Sequence, residues 1–163
     1  MNDKLVVGIA DMKMAQNEGM LVTYALGSCI GICLRDPVLK LAALVHVMLP
    51  LNMETGRRSP MKYADTGIRE TLRQMEAWGA RRSRITAKIA GGARMFDVPG
   101  GSAGGTLGNI GQRNIESVHI TLKNEGVRLL HEDVGGTVAR TLLFEVASGD
   151  ACVRSYGKPD LIF

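Results

Sequence analysis

The sequence has few aromatic residues and no dominant charge. Phe, Trp and Tyr make up 4% of the 163 residues, and the net charge is +4. Proteins that bind nucleic acid usually combine a basic stripe with aromatic platforms, so we expect no nucleic-acid binding. Arg81-Arg82-Ser83-Arg84 is the one local basic cluster. It fits a solvated connection better than a docking patch for an acidic surface.

Cysteine is also scarce. Three cysteines are too few for a disulfide scaffold and indicate a reducing compartment. The spacing of Cys29 and Cys33 matches neither the redox C-x-x-C motif nor a common zinc pair. A zinc site can be drawn from Cys29, Cys33, His46 and Cys152, but no second ligand pair follows at zinc spacing. We therefore expect no metal ion.

Long apolar runs are missing. The longest, Leu41 to Leu49, falls far short of the ~20 residues that cross a bilayer. The first residues lead directly into Leu5 to Ala10, without the apolar core and cleavage site of a secretory signal. We expect a cytoplasmic protein without membrane insertion.

Nucleotide-binding signatures are missing as well. The stretch from Gly91 to Gly111 is rich in glycine but contains neither G-x-x-x-x-G-K-[ST] nor the dinucleotide fingerprint. It is better interpreted as a mobile loop with Met95-Phe96 as its apolar anchor. No organic cofactor is expected.

The residues that are present predict one α/β or α+β domain over residues 1–163. Apolar residues make up 45% and charged residues 22%, as in ordinary globular domains. Helices are predicted near 62–78 and 109–125, each with a buried apolar stripe. The stripes are Ala64, Ile68, Leu72 and Met75 in the first helix and Ile115, Val118 and Leu122 in the second. Strands are predicted at 4–10, 20–25, 84–90, 127–131, 140–146 and 151–155, with 11–19 as a loop and a turn at Gly135-Gly136.

The central feature is a predicted β-hairpin within residues 23–50. Two apolar, β-prone runs flank the turn at 36–40. Folding back near 37–38 pairs residues whose numbers sum to about 75, which places Cys29 opposite His46. The same register places Cys33 opposite Leu41 or Ala42, away from the histidine.

A thiol beside an imidazole is a candidate nucleophile and base. An imidazolium next to Cys29 would lower the thiol pKa and enrich the attacking thiolate. Gly27 and Ser28 allow a sharp turn there, and nearby backbone N–H groups would form an oxyanion hole. The alternative is structural, because cysteine and histidine also occur as ordinary interior residues. A register slip of one residue would turn the two side chains to opposite faces.

The motifs around this hairpin resemble those of the CheD family, the chemoreceptor glutamine deamidases. Thr23 precedes Cys29 by six residues, and His46 follows it by seventeen. The resemblance covers nearly the whole chain, with departures at Val134 and Ala139. The matching segments are Leu26-Gly27-Ser28-Cys29, Arg35-Asp36-Pro37, His46-Val47-Met48-Leu49-Pro50, Lys62-Tyr63-Ala64-Asp65, Ala87-Lys88-Ile89-Ala90-Gly91-Gly92-Ala93, Met95-Phe96, Ile110-Gly111-Gln112-Arg113-Asn114 and Asp133-Val134-Gly135-Gly136.

The resemblance implies a layered sandwich of mixed sheets, similar to deamidating bacterial toxins. It implies conversion of chemoreceptor glutamines to glutamates through a Cys29 thioester, and glutamyl methyl ester hydrolysis by the same route. Thr23 would be the third catalytic residue, orienting His46 through its hydroxyl or its backbone carbonyl. A CheC-type phosphatase is the implied partner, and we expect a monomer or a heterodimer with that partner.

Two other classes remain open. In the first, the chain is a docking module for receptor or phosphatase, and Cys29 and His46 are only structural. In the second, it is a cysteine protease or a transglutaminase, which share the nucleophile. An adaptor has no need of a reactive thiol, so the complete set of Thr23, Cys29 and His46 favours an enzyme.

Overall fold

A computed structural model describes residues 4–51, 59–95 and 109–163 of the chain. Within these ranges the chain forms ten β-strands and two α-helices. The strands are β1 (Lys4–Val6), β2 (Met12–Gln16), β3 (Met20–Leu26), β4 (Ile30–Asp36), β5 (Leu41–Val47), β6 (Thr86–Gly91), β7 (Arg128–Val134), β8 (Arg140–Glu145), β9 (Ala151–Ser155) and β10 (Leu161–Ile162). The helices are α1 (Ala64–Ala77) and α2 (Ile110–Asn124). Neither helix is both long and apolar enough to span a membrane.

The strands form two mixed five-stranded sheets. Sheet I has the order β1-β3-β8-β9-β10, and sheet II has the order β2-β5-β4-β6-β7. In each sheet one pair is parallel, β1 with β3 and β6 with β7, and the other pairs are antiparallel. This confirms the predicted mixed α+β architecture with two main helices.

Two apolar cores lie on the opposite faces of sheet II. Side chains alternate between the faces of a strand, so β4 sends Ile32 and Leu34 to one core and Cys33 to the other. The first core joins sheet II to α1 and α2, and the second joins sheet II to sheet I. The order of layers is therefore sheet I, sheet II, helices.

Both predicted helix stripes are confirmed. Every residue of the stripes predicted for α1 and α2 is buried in the core between sheet II and the helices. Gly79 follows α1 with φ of 103°, a backbone conformation that favours glycine and ends a helix. Hydrophobic periodicity was sufficient to predict both helices because each helix buries only one face.

The hairpin between β4 and β5 forms, but the predicted register is wrong by two residues. Asp36 pairs with Leu41, Cys33 with Leu44 and Gly31 with His46, so paired numbers sum to 77. The turn contains four residues, 37–40, because the Asp36 carboxylate accepts hydrogen bonds from the Val38 and Leu39 N–H groups. A shift by two preserves the face of every side chain.

Three other strand predictions need correction. Residues 11–19, predicted as a loop, contain β2, and the first strand is shorter than predicted because β1 ends at Val6. The strands on either side of Gly135-Gly136 belong to different sheets, so this segment crosses between layers instead of closing a hairpin. A tenth short strand, β10, was not predicted. The proposed anchor Phe96 and most of the glycine-rich stretch lie outside the described residues.

The arginine cluster is largely structural. Arg82 pairs with Glu76 and with Glu125, and Arg84 pairs with Asp36 at 2.8 Å. Burial alone would raise the pKa of Asp36, but hydrogen bonds from the Arg84 side chain and from backbone N–H groups hold it below its usual range. The cluster therefore fastens the end of α1 to the hairpin turn.

Candidate active site

A hydrogen bond between the two sheets joins Thr23 to His46. Thr23 lies on β3 of sheet I and His46 on β5 of sheet II, and both are buried, at 0% and 1% exposure. The Thr23 Oγ1 atom lies 2.7 Å from His46 Nδ1 and 2.8 Å from the Val7 carbonyl oxygen. The hydroxyl, one of the two atoms predicted for Thr23, thus contacts the imidazole directly.

These two contacts define the tautomer of His46. A carbonyl oxygen only accepts, so the single hydroxyl proton of Thr23 goes to Val7. The Thr23 oxygen must then accept the Nδ1–H of His46. This leaves Nε2 with a free lone pair. Nε2 is buried and has no hydrogen-bond partner among the described residues. The imidazole is therefore held in the form that can accept a proton at Nε2.

Cys29 lies diagonal to His46 in the register, on the face of sheet II that packs against sheet I. Gly31 is the direct partner of His46, and Cys29 precedes Gly31 by two residues, just before β4 begins. Cys29 packs against the core between the sheets, the layer that also contains Thr23 and His46. Residues two apart along a strand share a face. The prediction that Cys29 lies directly opposite His46 is therefore wrong, because Gly31 takes that place and Cys29 lies diagonal to His46 on the same face.

The turn that carries Cys29 links sheet I to sheet II. The pairing of β3 with β8 shifts register between Thr23 and Leu26, and Ala25 has φ of 57°. Such a bulge redirects a strand. Here the bulge lies in the last residues of β3, which ends at Leu26, and the chain then turns through Gly27-Ser28-Cys29 into β4. Gly27 leaves room for Met95, whose Cγ would lie 3.0 Å from an added Cβ.

Three successive carbonyl groups of this turn are hydrogen-bonded. Gly27 O accepts from Ala93 N at 2.8 Å, Ser28 O from the Asn114 amide at 2.8 Å, and Cys29 O from Gly92 N at 2.9 Å. A trans peptide places its N–H opposite its carbonyl. The Ser28 and Cys29 N–H groups are therefore directed away from these donors.

Gly91 and Gly31 allow neighbouring strands to pack closely around the Cys29 turn and His46. A Cβ on Gly91 would lie 2.2 Å from Cys29 O, so the end of β6 approaches the turn at a distance that only glycine allows. A Cβ on Gly31 would lie 2.8 Å from Leu142 and 3.3 Å from the methyl group of Thr23. The empty position at Gly31, opposite His46, lets sheet I pack directly on the site.

Burial keeps both reactive groups uncharged. It lowers the pKa of His46 to about 4. Burial also raises the pKa of the Cys29 thiol, and a hydrogen bond from its own backbone offsets only part of this shift. The expected imidazolium that lowers the thiol pKa is therefore absent from the resting structure. A neutral thiol and a neutral imidazole remain, which suits proton transfer during attack.

The other cysteines and histidines differ from this pair in burial or in position. Cys33 pairs with Leu44 and is fully buried, where desolvation raises its thiol pKa strongly. Cys152 lies on β9 of sheet I, away from the turn.

The described residues contain no cluster of three or more His, Cys, Asp or Glu that could hold a metal. His131 stacks on Phe163, and His119 pairs with Glu132 at 2.5 Å, so neither joins His46.

Sequence reasoning missed Asn114 and the role of Gly31. Asn114 is 0% exposed and reaches both Ser28 and Met48 from α2. It precedes Val118 by four residues, so it lies on the predicted apolar stripe of α2. A polar residue at a stripe position is the signal that would have found it.

The fold and these residues define a class: a layered α+β protein with the residue types of a cysteine-nucleophile hydrolase. Its family follows from comparison with known proteins. The family model described as CheD chemotactic sensory transduction matches residues 48–155. The chain belongs to the CheD family.

Relatives from several bacteria extend this match over nearly the full length. The "Probable chemoreceptor glutamine deamidase CheD" of Syntrophomonas wolfei is 44% identical over 163 residues, covering 99% of both chains. The "Chemoreceptor glutamine deamidase CheD" of Thermotoga maritima is 42% identical over 156 residues, covering 94% of this chain and 93% of its own. The family model begins after His46 and so does not cover Thr23, Cys29 or His46.

Proposed function

We propose that this protein is a chemoreceptor glutamine deamidase in which Cys29, His46 and Thr23 carry the reaction. The activity is supported by the names of the full-length relatives. The catalytic assignment is supported by one observation above all: Thr23 accepts the Nδ1 proton of His46 and leaves Nε2 as a base. Buried polar atoms in proteins nearly always have a hydrogen-bond partner. The unpartnered Nε2 of His46 therefore favours a chemical role over a structural one.

The first half of the reaction forms a thioester. The Cys29 thiol gives its proton to His46 Nε2 as the sulfur attacks the glutamine side-chain carbonyl carbon. The Ser28 and Cys29 N–H groups stabilise the oxyanion, with Gly27 giving the turn its shape. The imidazolium then protonates the departing nitrogen, and ammonia leaves as the C–N bond breaks.

The second half restores the enzyme. Water replaces ammonia, His46 Nε2 takes one of its protons, and the hydroxide attacks the thioester carbon. The C–S bond breaks, the thiolate recovers its proton from His46, and glutamate remains. The net change is the exchange of NH₂ for OH with water as the only co-reactant. A glutamyl methyl ester passes through the same thioester with methanol as the leaving group.

The proposed substrate is a glutamine on the surface of another protein, and we propose that the reaction takes place in the cytoplasm. We propose chemoreceptor cytoplasmic domains as the substrate and a CheC-type phosphatase as the docking partner. The protein acts as a monomer or as a heterodimer with that phosphatase. The chemistry uses no metal or organic cofactor, because thiol, imidazole and backbone N–H groups supply every step.

Mass spectrometry of a chemoreceptor cytoplasmic fragment tests the proposal. The unmodified protein should add about one mass unit at defined glutamines, and Cys29→Ala and His46→Ala should add none. Cys152→Ala is the matched control, because Cys152 is the other partly exposed thiol and lies on a different strand. Binding without a mass change in the unmodified protein would favour a docking module. Peptide cleavage or amine transfer would indicate a protease or a transglutaminase.

A further inference from the structure

Asn114 connects helix α2 to both halves of the candidate site. One hydrogen of its amide goes to the carbonyl of Ser28 at 2.8 Å, and the other goes to the carbonyl of Met48 at 2.9 Å. Ser28 precedes Cys29 by one residue, and Met48 follows His46 by two. One side chain thus spans the end of the hairpin at which the nucleophile and the base lie.

The contact with Ser28 acts on a specific peptide group. The Ser28 carbonyl and the Cys29 N–H belong to the same planar peptide, so holding one direction defines the other. The flanking carbonyls of Gly27 and Cys29 are held by backbone N–H groups of residues 92 and 93. Asn114 is therefore the one side chain, among the described residues, seen to hold the peptide that carries the Cys29 N–H.

The burial of Asn114 makes a purely packing role costly. The side chain is fully buried, and its Oδ1 has no hydrogen-bond partner among the described residues. An unpaired buried acceptor is destabilising, and an apolar residue of similar size would avoid this cost. What an apolar residue cannot supply is the pair of N–H donors to Ser28 and Met48.

We propose that Asn114 is a positioning residue that orients the Cys29 N–H as an oxyanion donor. This inference rests on the proposed Cys29 chemistry. The Asn114 amide donates to the Ser28 and Met48 carbonyls and not to the sulfur, so it acts through the Ser28–Cys29 peptide. Its loss should impair steps that develop an oxyanion and spare steps that need only the thiol.

Two reagents separate these steps at Cys29 without a receptor. Acylation by p-nitrophenyl acetate passes through a tetrahedral oxyanion, whereas alkylation by iodoacetamide displaces iodide at carbon and forms none. We expect Asn114→Ala and Asn114→Asp to lower the acylation rate by about tenfold or more relative to the alkylation rate, since loss of one oxyanion donor typically costs 10²–10³-fold. On a receptor fragment the same variants should lower kcat and leave KM within about twofold. Peptide mass spectra of the digested protein identify Cys29 as the modified thiol and separate it from Cys152.

Ser117→Ala is the matched control. Ser117 lies one turn further along α2, and its hydroxyl donates to the Pro50 carbonyl at 2.5 Å, outside the Cys29 turn. It should leave the ratio of the two rates unchanged. Urea unfolding identifies any variant that fails to fold, and Asn114→Ala, which places no carboxylate against the Ser28 and Met48 carbonyls, keeps the test available if Asn114→Asp does not fold.

Equal losses of acylation and alkylation in a folded Asn114 variant, or no loss at all, would overturn the inference. A wild-type protein that is acylated at Cys29 but leaves receptor glutamines unchanged would contradict the proposed function instead. In that case the ratio of the two rates still decides the role of Asn114.

Discussion

In the proposed mechanism, Thr23 sets the tautomer of the His46 base. Thr23→Val has nearly the same shape but removes the hydroxyl that accepts from His46 Nδ1 and donates to Val7. The imidazole then no longer has a defined tautomer, so we expect kcat for deamidation to fall by about tenfold to hundredfold. Thr23→Ser keeps the hydroxyl and should stay within a few-fold of the wild type. Full activity in Thr23→Val would show that the hydroxyl has no catalytic role.

His46 should also leave a signature in the pH dependence of stability. Its pKa is about 4 in the folded protein against an ordinary value of 6.5. Between these values the unfolded chain binds a proton that the folded chain does not, so the free energy of unfolding falls as the pH drops from 6.5 to 4. Above pH 6.5 the group contributes no pH dependence. The loss amounts to roughly 3 kcal/mol, at about 1.4 kcal/mol per pH unit.

Urea unfolding at a series of pH values measures this loss, with His46→Gln as the comparison. The variant should show a flatter dependence between pH 4 and 6.5, because glutamine does not titrate. Below pH 4 both proteins should lose stability as carboxylates such as Asp36 are protonated, since hydrogen bonds hold its pKa low. Identical slopes in wild type and variant would contradict the buried neutral imidazole.

At the residue scale the sequence predicted the reactive groups but not their surroundings. Cys29 and His46 were singled out by residue type and hairpin spacing, and Thr23 by the family resemblance. Asn114 and Gly31 were missed because their roles depend on what packs against them. Gly31 matters only because Leu142 and Thr23 approach from the other sheet, and no local pattern reports that approach.

At the scale of elements, β6 approaches the turn that carries Cys29 most closely at Gly91. A comparison of alanine substitutions at Gly91 and Gly126 tests the importance of this approach. Gly91 and Gly126 both have positive φ, at 121° and 72°. An added Cβ would meet Cys29 O at 2.2 Å in Gly91 and nothing within 4 Å in Gly126. Gly126→Ala should cost only the backbone strain, about 1–2 kcal/mol. Gly91→Ala must also displace the Cys29 carbonyl.

We therefore expect Gly91→Ala to lose at least about 3 kcal/mol of stability, the upper range for a strained backbone position. Its deamidase activity should fall well beyond that of Gly126→Ala, because the Cys29 turn moves. Urea unfolding and the receptor assay at a temperature where both variants are folded measure the two effects. Equal behaviour of the two variants would show that the turn is not held by this approach.

The helices were predicted correctly because burial of one face produces a clear hydrophobic period. Strand predictions failed where pairing with a distant strand determines the structure. The helices α1 and α2 follow their stripes closely. The strand β2, by contrast, has no strong β-prone run, and it forms by pairing with β5 at the edge of sheet II. The local sequence after β7 predicts a hairpin turn, but this segment carries the chain from one sheet to the other. Such crossings depend on layers that local sequence does not reveal.

At the scale of the molecule, the two sheets should unfold as one unit. Leu21 and Phe144 of sheet I share a core with Cys33 and Leu44 of sheet II. The bond from Thr23 to His46 crosses the same interface. Neither sheet can therefore open without exposing the core of the other and breaking the site. This supports the proposal that residues 1–163 form one domain.

Hydrogen exchange under native conditions tests this coupling. Slowly exchanging amides of β4 and β8, which lie in different sheets, should report opening free energies within about 1 kcal/mol of each other and of the global value from urea unfolding. The agreement should hold in Thr23→Ser. In Thr23→Val both sheets should shift together, because the missing hydroxyl weakens their shared interface and not one sheet alone. If β8 opened at a clearly lower free energy than β4, sheet I would be a separate unit, and the geometry of His46 would depend on its docking.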